Sequence, residues 1–113
     1  MNIIAVDDEQ LALDGLKCAI TEALPGETLV CFQSPKAALE YAKTHHVETA
    51  FLDIEMCGIN GQHLARYLKE INEKINLIFV SGHSHYAVDA FALKATGFIL
   101  KPVTAQAIKE IIV

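Results

Sequence analysis

The chain has 113 residues, of which 52% are hydrophobic, and its formal net charge is −5. This length suits one domain built around a single core. No apolar run is long enough to cross a bilayer, and Asp7, Asp8 and Glu9 interrupt any apolar stretch of a secretory signal near the start. We therefore expect a cytoplasmic protein without membrane contact.

The cysteines and the basic residues indicate the redox compartment and the kind of partner that this segment can bind. The three cysteines include no C-x-x-C pair, which favours reduced, packed thiols in a reducing compartment. Lysine and arginine residues occur singly along the whole chain. Because contacts to phosphate need concentrated positive charge, we do not expect this segment to bind nucleic acid, although a neighbouring domain is free to do so.

Five short apolar runs alternate with five longer amphipathic stretches. The apolar runs have the length and the Ile, Val, Leu and Phe content of strands buried on both faces. In chain order, the predicted strands are residues 2–6, 28–32, 49–54, 76–80 and 97–100. The predicted helices are residues 10–24, 35–45, 61–71, 85–94 and a last helix from Thr104 onward.

Local signals mark the helix boundaries. Ser34 is a predicted N-cap because Pro35 follows it at the first helical position. The pair Pro25-Gly26 ends the first helix, and Gly58 with Gly61 supplies a flexible turn before the third. The further predicted N-caps are Asn60, Ser84 and Thr104.

Strict alternation of strands and helices with short connections predicts one α/β domain over residues 1–113, with a parallel sheet covered on both faces by helices. At Val113 the last helical stretch is still in register, without a glycine or a cap. We therefore expect that helix to be truncated and the chain to be part of a longer protein, with any output domain outside it.

Polar residues follow four of the five predicted strands. The carboxyl ends of parallel strands share one edge of the sheet, where ligands bind in such folds. The polar residues at these ends are Asp7, Asp8 and Glu9, then Asp53 and Glu55, then Ser81, and finally Lys101 before Pro102.

Each of these residues alone has an ordinary structural explanation, because an aspartate after a strand is usually a cap or a loop residue. Together they predict a site. Converging carboxylates raise one another's pKa unless a cation compensates, and all-oxygen ligands suit Mg²⁺. Lys101 adds a positive charge and Ser81 a hydrogen bond. This combination favours phosphoryl transfer over dinucleotide binding.

The same residues carry a family resemblance. Asp7-Asp8, Asp53, Ser81 and Lys101-Pro102, each after its own strand, resemble the signature of response-regulator receiver domains, and the match covers the whole chain. The tract 85–91, which leads to 97–102, further resembles receivers joined to LytTR-type DNA-binding domains.

The resemblance implies a flavodoxin-like (βα)5 sandwich with strand order 2-1-3-4-5 and Asp53 as phosphoacceptor. Asp8 would bind Mg²⁺ directly and Asp7 mainly through water, with the backbone carbonyl of Glu55 completing the protein ligands. The Lys101-Pro102 peptide bond would be cis, an isomer that is accessible to X-Pro bonds.

The resemblance also implies a switch driven by a sensor histidine kinase. Asp53, ionised at neutral pH, would take the phosphoryl group from a phosphohistidine, with Mg²⁺ and Lys101 offsetting charge on its oxygens. Ser81 would then move to the phosphoryl group and Phe98 would swing inward. The face formed by the fourth helix, fifth strand and last helix would form a homodimer or control a fused output domain.

Three positions depart from the usual family pattern. Phe98 stands where a tyrosine is frequent, Ser81 where a threonine is equally common, and Cys57 where a proline is frequent. We expect Cys57 to loosen the loop after Asp53. Glu55 and His83 lie two residues beyond Asp53 and Ser81, positions that tune dephosphorylation in this family.

Other functions remain open. A stand-alone receiver or phosphorelay protein has the same residues, and a pseudo-receiver is disfavoured because no acidic or basic site residue is missing. A Mg²⁺-dependent phosphatase is disfavoured because no acid for the leaving group is evident. We expect a signalling switch that acts on no separate substrate.

Overall fold

The structure, a computed structural model of the chain, describes residues 1–56, 60–83 and 94–112. Within them lies one five-stranded sheet whose strands all run parallel. The strands are β1 (Asn2–Val6), β2 (Thr28–Phe32), β3 (Thr49–Asp53), β4 (Asn76–Ser81) and β5 (Gly97–Leu100). The described helices are α1 (Gln10–Ala23), α2 (Pro35–Thr44), α3 (Gly61–Ile71) and α4 (Ala105–Ile111). The sheet order is β2-β1-β3-β4-β5, which confirms the predicted flavodoxin-like order.

The predicted element boundaries differ from the structure by one residue at several ends. β4 continues to Ser81 because this residue still pairs with Leu100 of β5. β3 ends at Asp53, so Ile54 is already in the following loop. α1 and α2 each end one residue earlier than predicted. Of the predicted helix 85–94, all but Lys94 lies outside the described residues.

Three of the predicted N-caps are confirmed by hydrogen bonds. The side-chain oxygens of Ser34, Asn60 and Thr104 each accept a hydrogen bond from the backbone N–H three residues later, at 3.2, 3.0 and 3.2 Å. These bonds satisfy backbone donors that have no partner inside the helix. Ser84, the fourth predicted cap, lies outside the described residues.

Two clusters of buried side chains form the core, one on each face of the sheet. Successive residues of a strand point to opposite faces, so Ile4, Leu52 and Phe79 pack under α2 and α3, whereas their neighbours Ile3 and Phe51 pack under α1 and α4. This arrangement explains why β1, β3 and β4 are almost wholly apolar.

The two edge strands are less buried than predicted. β2 has one exposed and four half-buried residues, and Leu100 of β5 is 51% exposed. The prediction of burial on both faces is therefore wrong for these two strands, because each pairs with one neighbour and lies at the margin of the helical layers.

Within the described ranges, the helices are too short and too polar for any of them to cross a membrane.

Candidate functional site

Two aspartates sit deep at the carboxyl edge of the sheet. Asp7 directly follows β1, where its backbone N–H donates a 3.1 Å hydrogen bond to the carbonyl of Phe32 at the end of β2. Asp53 is the last residue of β3 and lies opposite Val80 of β4. Asp7 and Asp53 are 2% and 6% exposed. Buried carboxylates of this kind need compensating charge or hydrogen bonds.

A third aspartate joins them. Asp8, which is half-buried, follows Asp7 in the loop before α1. Asp7, Asp8 and Asp53 each offer one carboxylate oxygen, and these oxygens lie within 4.8 Å of one another. The structure thus brings together all three aspartates that the sequence placed at this edge.

Lys101 supplies positive charge to this cluster. It follows β5, and its backbone N–H donates a 2.8 Å hydrogen bond to the carbonyl of Ser81. Its Nζ lies 3.2 Å from Oδ2 of Asp7 and 3.2 Å from Oδ1 of Asp53. The Lys101-Pro102 peptide bond is cis, the isomer that the resemblance implied. The ammonium group therefore bridges two carboxylates that come from different strands.

The charges in this cluster shift two pKa values. Burial, helped by the carboxylate of Asp7, raises the pKa of Asp53 to about 6, although Lys101 opposes the shift. Desolvation alone would lower the pKa of Lys101. The carboxylates of Asp53 and Asp7 outweigh that effect and hold the pKa of Lys101 above its usual value.

Ser81 lies at the end of β4, next to the residue that pairs with Asp53. It is buried, and its Oγ accepts a 3.0 Å hydrogen bond from the backbone N–H of His83. Accepting this bond leaves its hydroxyl hydrogen able to donate to another group.

Glu55 and His83 contact each other across the site. Glu55 follows β3 by two residues and His83 follows β4 by two residues. The imidazole Nε2 of His83 lies 3.1 Å from Oε1 of Glu55. The sequence placed both residues beside the site, but it contained no signal that they would pair.

Gly61 has a role that the sequence analysis missed. As predicted, it is the first residue of α3, but it also packs directly on the backbone of Asp53, where the sequence predicted only a flexible turn shared with Gly58. A Cβ at this position would lie 2.2 Å from the carbonyl oxygen of Asp53. The backbone N–H of Gly61 also donates a 2.9 Å hydrogen bond to the carbonyl of Ile54. Only glycine allows α3 to begin this close to the end of β3.

Phe98 and Cys57 are the two other residues that the sequence analysis singled out. Phe98 of β5 lies opposite Phe79 and is half-buried against the core cluster under α2 and α3. Cys57 falls outside the described residues, so its predicted effect on the loop stays a prediction.

A cavity of about 440 Å³ adjoins the site. Asp7 and Lys101 form part of its wall, and the remaining lining residues are mainly apolar: Ala12, Gly15, Leu16, Val80, Pro102 and Val103. Leu11, at the start of α1, is 80% exposed.

The donor set fits a hard divalent cation. Three carboxylates within 4.8 Å of one another provide only oxygen ligands, which is the chemistry that Mg²⁺ prefers. Three carboxylates face one ammonium group here, so the described cluster carries an excess of negative charge that a divalent cation would offset.

The chain is similar to known proteins that all belong to one family. The sequence model of the response regulator receiver domain matches residues 3–113. The transcriptional regulatory protein LytR of Staphylococcus aureus (strain N315) is 32% identical over 110 residues, which are 97% of this chain and 45% of LytR. The transcriptional regulatory protein NatR of Bacillus subtilis (strain 168) is 33% identical over 101 residues, which are 89% of this chain and 43% of NatR. The chain thus spans less than half the length of these curated relatives.

A solved structure shares the fold. The response regulator protein TrrA from Thermotoga maritima, in complex with Mg²⁺ and BeF, superimposes with a TM-score of 0.86 and is 26% identical in sequence. The similarity covers 99% of this chain and 96% of TrrA.

Proposed function

The chain belongs to the response regulator receiver domain family of two-component systems, and on that basis we propose that it is switched by transient phosphorylation of Asp53. The observation that carries the proposal is the position of Lys101, whose Nζ lies 3.2 Å from both Asp53 and Asp7. This arrangement places a fixed positive charge beside the oxygens of an accepting carboxylate. A structural salt bridge would need only one of the two carboxylates.

Asp53 is suited to be a nucleophile without a general base. With a pKa of about 6, its carboxyl group is mostly ionised at pH 7.5. One carboxylate oxygen attacks phosphorus as the P–N bond of a phosphohistidine breaks, and the imidazole leaves with the bonding electron pair and takes up a proton. Water later cleaves the acyl phosphate and restores the carboxylate.

The protein's own groups stabilise this transfer. Lys101 is held by two carboxylates, so its ammonium group is already positioned when negative charge builds up on the phosphoryl oxygens, and little reorganisation is needed. Gly61 packs against the backbone of Asp53 and so helps to hold it in position. Ser81 follows Val80, the residue that pairs with Asp53, and its hydroxyl would move to donate its hydrogen to the bound phosphoryl group.

We assign Mg²⁺ to the three aspartates, with the backbone carbonyl of Glu55 as a further ligand. By the family resemblance, Asp8 would hold the ion directly and Asp7 mainly through water. When bound, Mg²⁺ supplies positive charge to the phosphoryl oxygens. The all-oxygen donor set and the excess of carboxylates support this assignment, and TrrA was solved in complex with Mg²⁺ and a beryllium fluoride.

The donor is a sensor histidine kinase in this proposal. A phosphohistidine can reach Asp53 only if the kinase lies against the rim of the site. The apolar cavity whose wall includes Asp7 and Lys101, together with the exposed Leu11, provides contact area beside that rim. Small donors such as acetyl phosphate need no such surface.

The output is the control of transcription by another part of a longer regulator. LytR and NatR are named transcriptional regulatory proteins, and each is more than twice as long as the matched region. The proposed output domain is of the DNA-binding LytTR type, and the whole protein acts in the cytoplasm. Ser81 and Phe98 carry the change to the face formed by the predicted helix 85–94, β5 and α4, where Leu100 is exposed and a homodimer would form on phosphorylation.

Intact-mass spectrometry tests the proposed acceptor. After incubation with Mg²⁺ and acetyl phosphate, the protein should gain one phosphate-sized adduct that hydroxylamine removes. Asp53→Asn should gain none, whereas Asp14→Asn, the same change at an exposed position of α1, should behave like the wild type. An unmodified wild type, also with a panel of histidine kinases, would show a receiver that acts only as an interaction module.

A further inference from the structure

The two loops that flank Asp53 are linked by a side-chain contact. Glu55 belongs to the loop after β3, and His83 belongs to the loop after β4. Their contact, 3.1 Å from Nε2 to Oε1, joins these two loops. It does not depend on the charge of His83, because a neutral imidazole can also donate its Nε2 hydrogen to a carboxylate.

The same histidine is tied to Ser81. Its backbone N–H donates to Ser81 Oγ at 3.0 Å. His83 therefore connects the hydroxyl proposed to meet the phosphoryl group with the loop that carries Glu55. If Ser81 moves towards a phosphoryl group on Asp53 while Glu55 holds His83 in place, the hydrogen bond between Ser81 Oγ and the His83 N–H lengthens.

We propose that the Glu55–His83 contact is a brake on the switch: it stabilises the unphosphorylated arrangement of the Ser81 loop and is released when Asp53 carries a phosphoryl group. The inference rests on the proposed function and adds a regulatory contact to the same site. The phosphoryl group adds negative charge to Asp53, two residues before Glu55, and its repulsion of the Glu55 carboxylate favours that release.

The exposure of the two side chains sets the size of the effect. His83 and Glu55 are 57% and 50% exposed, so solvent screens their attraction. Exposed pairs of this kind change an equilibrium by about two- to fivefold. The brake is therefore a modest bias between two arrangements and does not lock either of them.

Beryllofluoride is an analogue of the phosphoryl group. Its affinity for the protein in the presence of Mg²⁺ measures how strongly the Glu55–His83 contact favours the unphosphorylated arrangement. A contact that stabilises only the unliganded arrangement reduces the fraction of molecules that are ready to bind. The apparent affinity for beryllofluoride falls in proportion to that fraction. We compare wild type with His83→Ala, Glu55→Gln and the double variant by isothermal titration calorimetry. Glu40→Gln is the matched control, because it removes an equally exposed ion pair with Lys43 on α2, at 3.2 Å.

His83→Ala is the diagnostic variant. Removing an imidazole N–H donor near an anion site should, without a brake, weaken the binding of beryllofluoride or leave it unchanged. The brake predicts the opposite sign: an affinity two- to fivefold higher than that of the wild type, and a lower urea midpoint without ligand. The double variant should bind no more tightly than the tighter single variant, and Glu40→Gln should bind like the wild type.

Equal or weaker binding by His83→Ala would overturn the brake, as would effects of the two single changes that simply add. A wild type that binds no beryllofluoride would overturn the proposed function together with this inference. Wild-type binding that His83→Ala leaves unchanged would overturn the brake alone.

Discussion

The substitution Asp53→Asn should make the protein more stable while it abolishes the proposed acceptor. The pKa of Asp53 is about 6 in the folded chain against 3.8 for an ordinary aspartate. The folded state therefore binds this proton more tightly than the unfolded state does, so the ionised form costs folding free energy. Asparagine keeps the shape of the side chain without a charge and removes that cost.

The pH dependence of the stabilisation follows from these two pKa values. Between pH 3.8 and 6 the folded state holds more protons on Asp53, so the contribution of this group to stability falls as the pH rises. The cost of its ionisation grows from roughly 0.6 kcal/mol at pH 4 to about 3 kcal/mol at pH 7.5. The gain in unfolding free energy from Asp53→Asn should grow with pH in the same way. At pH 7.5 it should be about 1–3 kcal/mol, because asparagine also weakens the contact with Lys101 and so offsets part of the gain.

Urea denaturation in EDTA, at pH 4.5 and pH 7.5, measures the difference in unfolding free energy. Asp14→Asn is the matched control and should change stability by less than about 0.5 kcal/mol at either pH, because Asp14 is exposed. A variant Asp53→Asn that is no more stable than the wild type at pH 7.5, or whose gain is the same at both pH values, would refute this account of the site's electrostatics.

Three further changes test neighbouring parts of the site. Lys101→Met should lower the free energy of unfolding at neutral pH by about 2 kcal/mol, because it leaves Asp7 and Asp53 without the ammonium group. A urea midpoint equal to that of the wild type would contradict the bridging role of Lys101 between these two carboxylates. Gly61→Ala should cost roughly 2–4 kcal/mol, because its Cβ would lie 2.2 Å from the carbonyl oxygen of Asp53. Gly15→Ala, whose Cβ meets nothing within 4 Å, should instead raise the free energy of unfolding by about 0.5–1 kcal/mol. Mg²⁺ at 100 times its dissociation constant should stabilise the wild type by about 2.7 kcal/mol, and EDTA should reverse this gain. If Mg²⁺ stabilised Asp53→Asn by the same amount, Asp53 would not be a ligand of the ion.

Much of the fold was predictable because it depends on local patterns. β1, β2 and β5 have the predicted bounds, since short apolar runs between turn signals mark where strands begin and end. The N-caps were predictable from residue type and position alone. The strand order came from the family resemblance, because the alternation of elements predicts a parallel sheet without ordering its strands.

The convergence of the site was predictable from topology, but its contacts were not. Parallel strands bring Asp7, Asp53 and Lys101 to one edge whatever their separation in sequence. Which carboxylate holds the ammonium group depends on side-chain geometry, and the structure shows that both do. The Glu55–His83 contact and the packing of Gly61 on Asp53 depend on how loops and a helix meet, which residue patterns do not encode.

The chemical location of the phosphoryl group tests the central proposal most directly. Borohydride reduces an acyl phosphate on aspartate to homoserine, so reduction of the protein after incubation with Mg²⁺ and acetyl phosphate marks the acceptor. Peptide mass spectrometry should then find homoserine at position 53 and at no other aspartate. Homoserine at position 7 or 8, with residue 53 unchanged, would contradict the assignment of Asp53 as the phosphoacceptor.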